Sequence, residues 1–189
     1  MSCCVGLLRA DRRIVLGAII AGGRSTRFGS DKAVATIGGR ALIDHVTDAL
    51  AGQCNELVVV GRAHDGLRAI SDQPAPGMGP LGGIAAALLE ARAAGYACVL
   101  TAPCDAFDLP GNLTETLYPF PGYAESLPVV GLWPVSAAET ALEMLADPDN
   151  NDSIRGFADR IGARAVQLAR APANINTAAD LERVERHGL

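Results

Sequence analysis

Lys32 is the only lysine among the 16 lysine and arginine residues of the chain. It closes a glycine-rich basic segment, Gly22-Gly23-Arg24-Ser25-Thr26-Arg27-Phe28-Gly29-Ser30-Asp31-Lys32, that follows an apolar run ending at Ile20-Ala21. Glycines let backbone N–H groups approach an anion closely, and a lysine supplies a compact ammonium on a flexible stem. The segment reads as a cradle for a polyphosphate; a solvated turn with incidental charges is the competing reading. It is not a Walker A loop, because Lys32 has no glycine before it and no Ser or Thr after it.

A second set of residues suits the same chemistry. Asp105 follows Pro103-Cys104 at the end of an apolar stretch, where a carboxylate is costly unless it is hydrogen bonded, paired or bound to a cation. Mg2+ is held by one or two carboxylates plus substrate phosphates, so Asp105 is a candidate metal ligand and catalytic residue. With Lys32 and Arg27 neutralising charge on an α-phosphate and on departing pyrophosphate, the set favours nucleotidyl transfer. An N-cap or turn aspartate is the plainer reading of Asp105. Asp72, before Gln73-Pro74, is either ordinary turn chemistry or an acceptor in a nucleotide pocket. The Gly77 to Gly83 stretch brings backbone near a flat base or makes a structural turn. Asn174 and Asn176 lie two apart, so in an extended segment both project to one side, with donors and acceptors for a heteroaromatic ligand. His45, the exposed-looking His64 and His187 have no Ser or Cys partner that suggests a hydrolase; Cys104 and Trp133 read as packing residues.

The elements that must position these residues follow from periodicity. Ile14 to Ile20 reads as a buried parallel strand, Leu42 to Leu50 as a helix, and Glu56 to Val60 as a strand. Leu67 to Ile70 is a short apolar stretch, Asp72 to Gly83 a loop, Leu81 to Ala94 an alanine-rich helix, and Tyr96 to Thr101 a central strand. This alternation predicts an α/β protein with a mostly parallel sheet, whose ligands bind beyond the carboxyl ends of the strands, so the Gly22 to Lys32 loop, Asp72 and Asp105 converge on one rim. Gly122 to Glu125 and Val129 to Trp133 read as a small antiparallel excursion. Ser136-x-x-Glu139 and Thr177-x-x-Asp180 have capping-box form, placing helix starts near Ala137 and Ala178, with Leu181 and Val184 facing inward.

The 189 residues are 49% hydrophobic, only 4% aromatic and include 21 glycines, which suits an α/β protein packed with small aliphatics better than a β-sandwich. Residues 1–13 read as a flexible leader and 14–189 as a single domain. A net charge of −5 with scattered basic residues excludes a nucleic-acid footprint. No apolar run reaches membrane-spanning length. Five cysteines without a C-x-x-C pair argue against a zinc site or disulfide framework and for a cytoplasmic setting.

The ordered motifs resemble the molybdenum cofactor guanylyltransferases. Ile20 to Lys32 is similar to their opening signature, with Phe28 where methionine is usual, and the likeness continues through Asp72, Gly79-Pro80-Leu81-Gly82-Gly83, Pro103-Cys104-Asp105, Gly131-Leu132-Trp133-Pro134 and Asn174 to Leu181. The resemblance implies a Rossmann-like three-layer nucleotidyltransferase fold and transfer of GMP from GTP to the phosphate of molybdopterin, with Mg2+ as cofactor. It assigns Ile20, Ala21, Gly22, Lys32 and Asp72 to GTP, and Asp105 to both GTP and Mg2+. Arg27, Asn174 and Asn176 go to catalysis or pterin binding. Gly61 stands where some relatives have an asparagine near the base, so a contact from that position comes from backbone. Leu127-Pro128 replaces a common His-Pro, and the Tyr118 to Leu127 stretch is shortened. Implied partners are GTP, molybdopterin or its molybdenum-bearing form, molybdenum insertion proteins and acceptor molybdoenzymes, with the chain a monomer. The first motif alone would also admit a cytidylyl or sugar-1-phosphate nucleotidyltransferase, and a non-catalytic nucleotide-binding or cofactor-carrier protein is the alternative from another class.

Overall fold

The computed structural model describes residues 14–22, 36–147, 153–175, 177, 180 and 182–184. The expected leader, Arg27, Lys32, Asn176, Ala178 and Leu181 lie outside the described residues. The apolar run forms β1 (Val15–Ile20), buried along its whole length. It pairs in parallel with β4 (Glu56–Val60) on one side and β6 (Cys98–Pro103) on the other, and β5 (Arg68–Ile70) continues the sheet beyond β4. A strand buried on both faces has no polar side, which is why β1 reads as a continuous apolar run.

Side-chain alternation divides the core into two. Leu16, Ala18 and Ile20 of β1 pack with Leu81, Ile84 and Leu88 of α2 (Gly79–Ala93). Val15 and Ile19 pack on the opposite face with Ile43, Val46 and Leu50 of α1 (Leu42–Ala51). Helices therefore cover both faces, giving three layers. Helix α2 starts at Gly79 with Pro80 in its first turn, two residues before the expected Leu81. It ends in a Gly95 turn of φ +81°, which delays β6 to Cys98.

The expected antiparallel pair forms, and it extends the main sheet. β8 (Gly122–Ala124), β9 (Gly131–Pro134) and β10 (Arg164–Val166) belong to a seven-stranded sheet of order β5-β4-β1-β6-β9-β8-β10, with β9 antiparallel to β6. Burial of Trp133 explains the placement. Its indole Nε1 donates to Thr101 Oγ1 of β6 at 2.8 Å, and that hydroxyl donates to the Val129 carbonyl at 2.6 Å. The relay satisfies every polar atom of the buried indole only if β9 lies beside β6. β10 completes the edge in parallel with β8.

The small antiparallel sheets are made of other segments: β2 (Thr36–Ile37) with β3 (Arg40–Ala41), and β7 (Ala106–Phe107) with β11 (Ala173–Asn174). The first predicted capping box does not form. Val135–Ala137 makes a 3-10 turn, and the helix that follows it, Ala138–Ala146, has no side-chain cap. The second forms reciprocally: Thr177 N–H donates to Asp180 Oδ2 at 2.9 Å, and Asp180 N–H to Thr177 Oγ1 at 3.1 Å. Val184 is buried with Ile37, Leu42 and Ile175, as its predicted inward face requires.

Candidate functional site

The carboxyl ends of β1, β4 and β5 meet at two glycines and a carboxylate. A Cβ on Gly61 would lie 2.4 Å from the Gly22 Cα, and Gly61 holds φ +88°, so neither its space nor its backbone admits another residue without movement. A Cβ on Gly22 would in turn lie 3.0 and 3.1 Å from the two oxygens of Asp72. Asp72 is 5% exposed. Its Oδ2 accepts from Gly77 N–H at 3.0 Å, and its Oδ1 has no hydrogen-bond partner among the described residues. A buried carboxylate oxygen left without a donor is costly and marks a place for a ligand donor.

Asp72 is one of the residues lining a cavity of about 810 Å3, with Gly22, Gly61, Arg62, Ser71 and Gly79 among the others. One end is the start of α2, held by Gln73 N–H donating to the Gly82 carbonyl at 3.1 Å. The Gly77 to Gly83 stretch, expected from the sequence to bring backbone near a flat base or to make a turn, lies at this end. Gly77-Met78-Gly79-Pro80-Leu81-Gly82 has G-x-G-x-x-G spacing and opens a helix after a strand, a pattern that brings backbone close to a ligand. Ile20 and Ala21 contribute less freely than expected. The Ile20 carbonyl accepts from Cys104 N–H at 3.0 Å, and Ala21 N–H donates to the Val60 carbonyl at 2.9 Å. Gly61 N–H is likewise committed, to the Ile70 carbonyl at 2.9 Å, so a backbone contact from Gly61 can come only from its carbonyl.

Asp105 stands on the other side of β1. It follows β6 and is half-buried, and its carbonyl accepts from Ile175 N–H at 3.0 Å. The β7–β11 pairing sets Asn174 opposite Ala106, so two predicted site residues from distant parts of the chain come together. Asp72 follows β5, but its carboxylate reaches back to Gly22 just beyond the end of β1, and β1 pairs directly with β6, after which Asp105 stands. Both carboxylates therefore belong to the same rim, Asp72 reaching the end of β1 from the β5 side and Asp105 following β6 on its other side. Among the described residues no three His, Cys, Asp or Glu side chains are grouped to hold a metal. A lone rim carboxylate fits Mg2+, which takes its other oxygens from phosphates and water, and does not fit a closed protein cage.

Two histidines are better placed than the sequence suggested. His64 is half-buried, its Nε2 2.9 Å from Asp44 Oδ1, which ties the loop after Gly61 to α1. His45 contacts the carbonyl of Ile37 and the ring of Phe107. Cys104 is half-buried and Trp133 fully buried, as packing residues should be.

A mostly parallel sheet whose ligand rim spans its switch point, where the order turns from β1 to β4 on one side and to β6 on the other, defines an α/β nucleotide-handling protein. Residues 17–159 match the MobA-like NTP transferase domain. The chain is 36% identical over 181 residues to a molybdenum cofactor guanylyltransferase of Acidiphilium cryptum, covering 88% of this chain and 92% of that one. It is 35% identical to the Cereibacter sphaeroides protein of the same name, covering 90% and 95%. The chain belongs to the MobA-like NTP transferase family, and it is a nucleotidyltransferase. Among solved structures, molybdopterin-guanine dinucleotide biosynthesis protein A of Archaeoglobus fulgidus superposes with a TM-score of 0.72 at 20% identity, covering 90% of this chain and 97% of that one. A 4-diphosphocytidyl-2C-methyl-D-erythritol synthase from Anaerococcus prevotii superposes at 0.64 with 11% identity, covering 94% and 99%. One fold therefore serves differently named synthases, and the choice of base must come from the site.

Proposed function

We propose that the protein transfers GMP from GTP to the phosphate of molybdopterin, forming the guanine dinucleotide cofactor and pyrophosphate. The observation that carries the reading is the buried carboxylate of Asp72, a residue lining the cavity, whose Oδ1 has no partner among the described residues. Guanine presents two adjacent donors, N1–H and N2–H2, that a carboxylate can accept together, whereas cytosine offers the single N4–H2 donor beside the acceptors N3 and O2. The relatives' shared name, molybdenum cofactor guanylyltransferase, supports the same choice.

In this reading a molybdopterin phosphate oxygen attacks the α-phosphorus of GTP. A P–O bond forms, the bridge to the β-phosphorus breaks, and pyrophosphate leaves with the electron pair. Asp105, after β6, would hold Mg2+, and Lys32 and Arg27 would neutralise the charge that develops on the leaving group. Bound Mg2+ supplies charge neutralisation across the phosphate oxygens. Ile20, Ala21, Gly22 and Gly61 shape the nucleotide side of the rim, while Asn174 and Asn176 orient the pterin. GTP and molybdopterin are its small-molecule partners, it acts in the cytoplasm as a monomer, and it hands its product to molybdenum insertion proteins or molybdoenzymes.

The test is a competition between equal GTP and CTP with molybdopterin, run with Mg2+ and with EDTA. Predominant incorporation of GMP, abolished by EDTA, is expected. Preference for CTP would reassign the chain to cytidylyl transfer, and no turnover of either nucleotide would leave a binding protein.

A further inference from the structure

Beneath the Asp105 turn lies a third, small core in which Ile37, Leu42, Ile175 and Val184 are buried, with Phe107 and Ala173 packed against them. His45, half-buried on α1, reaches two of its parts. Its Nε2 is 3.2 Å from the Ile37 carbonyl oxygen. A carbonyl only accepts, so Nε2 carries the proton and donates. Its ring meets Phe107 edge to face, with centroids 5.3 Å apart and planes at 78°. Phe107 is two residues after Asp105 and pairs with Ala173, next to Asn174. Ile37 ends β2, five positions after Lys32 in the sequence.

We propose that His45 is a positioning residue for nucleotidyl transfer, fixing the Asp105 turn and the β2–β3 hairpin against α1 through its bond to Ile37 and its contact with Phe107. The helix is a firm reference because Ile43, Val46 and Leu50 anchor it in the core beside β1. A histidine suits the place because it combines a donor for one neighbour with a flat ring for the other. Leucine or phenylalanine would leave the Ile37 carbonyl without this donor. Small displacements of a catalytic group lower the rate of the chemical step more than they lower binding. The role rests on the guanylyl transfer proposed above, but the geometry can be read without turnover.

The experiment uses the full-length protein with His45→Phe, which keeps a ring and loses the donor, and His45→Gln, which keeps a donor. For His45→Phe, kcat should fall roughly tenfold with the GTP KM within about twofold, and His45→Gln should recover to within about threefold of wild type. Amide exchange at Ile175, whose N–H is bonded to the Asp105 carbonyl, should quicken at least about fivefold in His45→Phe while Leu100 in β6 is unchanged. Unchanged Ile175 exchange, or a wild-type kcat in His45→Phe, overturns the proposal, as does an equal loss in both variants. If the wild type shows no turnover, the functional reading fails, and the exchange measurement alone decides the role of His45. Should His45→Phe not fold, Phe107→Leu tests the contact from the other side: Ile175 exchange at the wild-type rate in that variant would overturn the proposal.

Discussion

Asp72 is held in the folded protein at a cost that a bound base would remove. One of its oxygens is hydrogen bonded to Gly77 N–H, the other has no partner among the described residues, and the residue is almost wholly buried. Asp72→Asn keeps the shape and removes the charge. The melting temperature of this variant should stay level or rise, while the GTP KM rises at least about tenfold and the preference over CTP narrows, because the acceptor is lost where the base needs it. Thermal unfolding and competition kinetics on one preparation check both halves; a destabilised variant with intact base preference would show that Asp72 is a structural turn residue. Gly61 makes the complementary case. Since a Cβ there would sit 2.4 Å from the Gly22 Cα at φ +88°, Gly61→Ala should cost about 1–3 kcal/mol in denaturant unfolding and depress activity as well. An asparagine there would require the ends of β1 and β4 to move apart. Equal stability of Gly61→Ala and wild type would mean that this close approach is relaxed in solution.

Strands and helices show where periodicity sufficed and where it did not. The continuous apolar runs at β1 and β4 and the i, i+3, i+4 spacing of α1 were legible because their burial is decided locally, by which face meets the sheet. β8 and β9 were legible as a pair but not as members of the main sheet, since that depends on a side-chain bond between Trp133 and Thr101, which lie 32 residues apart. The two-residue strands β7 and β11 carry no periodicity at all, yet their pairing brings Asn174 to Asp105. The Gly77 to Gly83 stretch was legible as a place where backbone comes close to a ligand, because its glycines lead directly into an apolar helix. The Thr101 relay makes the long-range part testable. Thr101→Val is close to isosteric but leaves the indole N–H of Trp133 buried without an acceptor, so it should cost about 1–3 kcal/mol by denaturant unfolding. A loss within experimental error would mean that packing of the indole against Tyr123 and Phe157, at centroid distances of 6.2 and 5.4 Å, places β9 without the hydrogen bond.

For the molecule as a whole, a central sheet covered on both faces has few places to keep a charge, and two thiols at the starts of its inner strands report this. Cys54 lies just before β4, and Cys98 begins β6, on the other side of β1. Burial pushes the Cys98 thiol up to about 12 from an ordinary 9.0. Burial, and then the neighbouring Cys98, does the same for Cys54. Both thiols hold their protons in the folded state through a range in which the unfolded chain releases them. Between pH 9 and 12 the unfolded state therefore binds fewer protons, and stability must fall as pH rises, by at most about 1.4 kcal/mol per pH unit for each thiol. Below pH 9 both states are protonated and this contribution is flat. Other groups titrate in the same window, so the contribution of the thiols is the difference in slope between wild type and Cys54→Ala/Cys98→Ala. The double variant should be less stable near neutral pH, because two packed side chains are truncated, yet its stability should decline less steeply from pH 9 to 12. Urea unfolding at four or five pH values on both proteins measures the two slopes. Parallel curves would show that the thiols ionise as easily in the folded protein as in the unfolded chain, and that water reaches the sheet at the starts of β4 and β6.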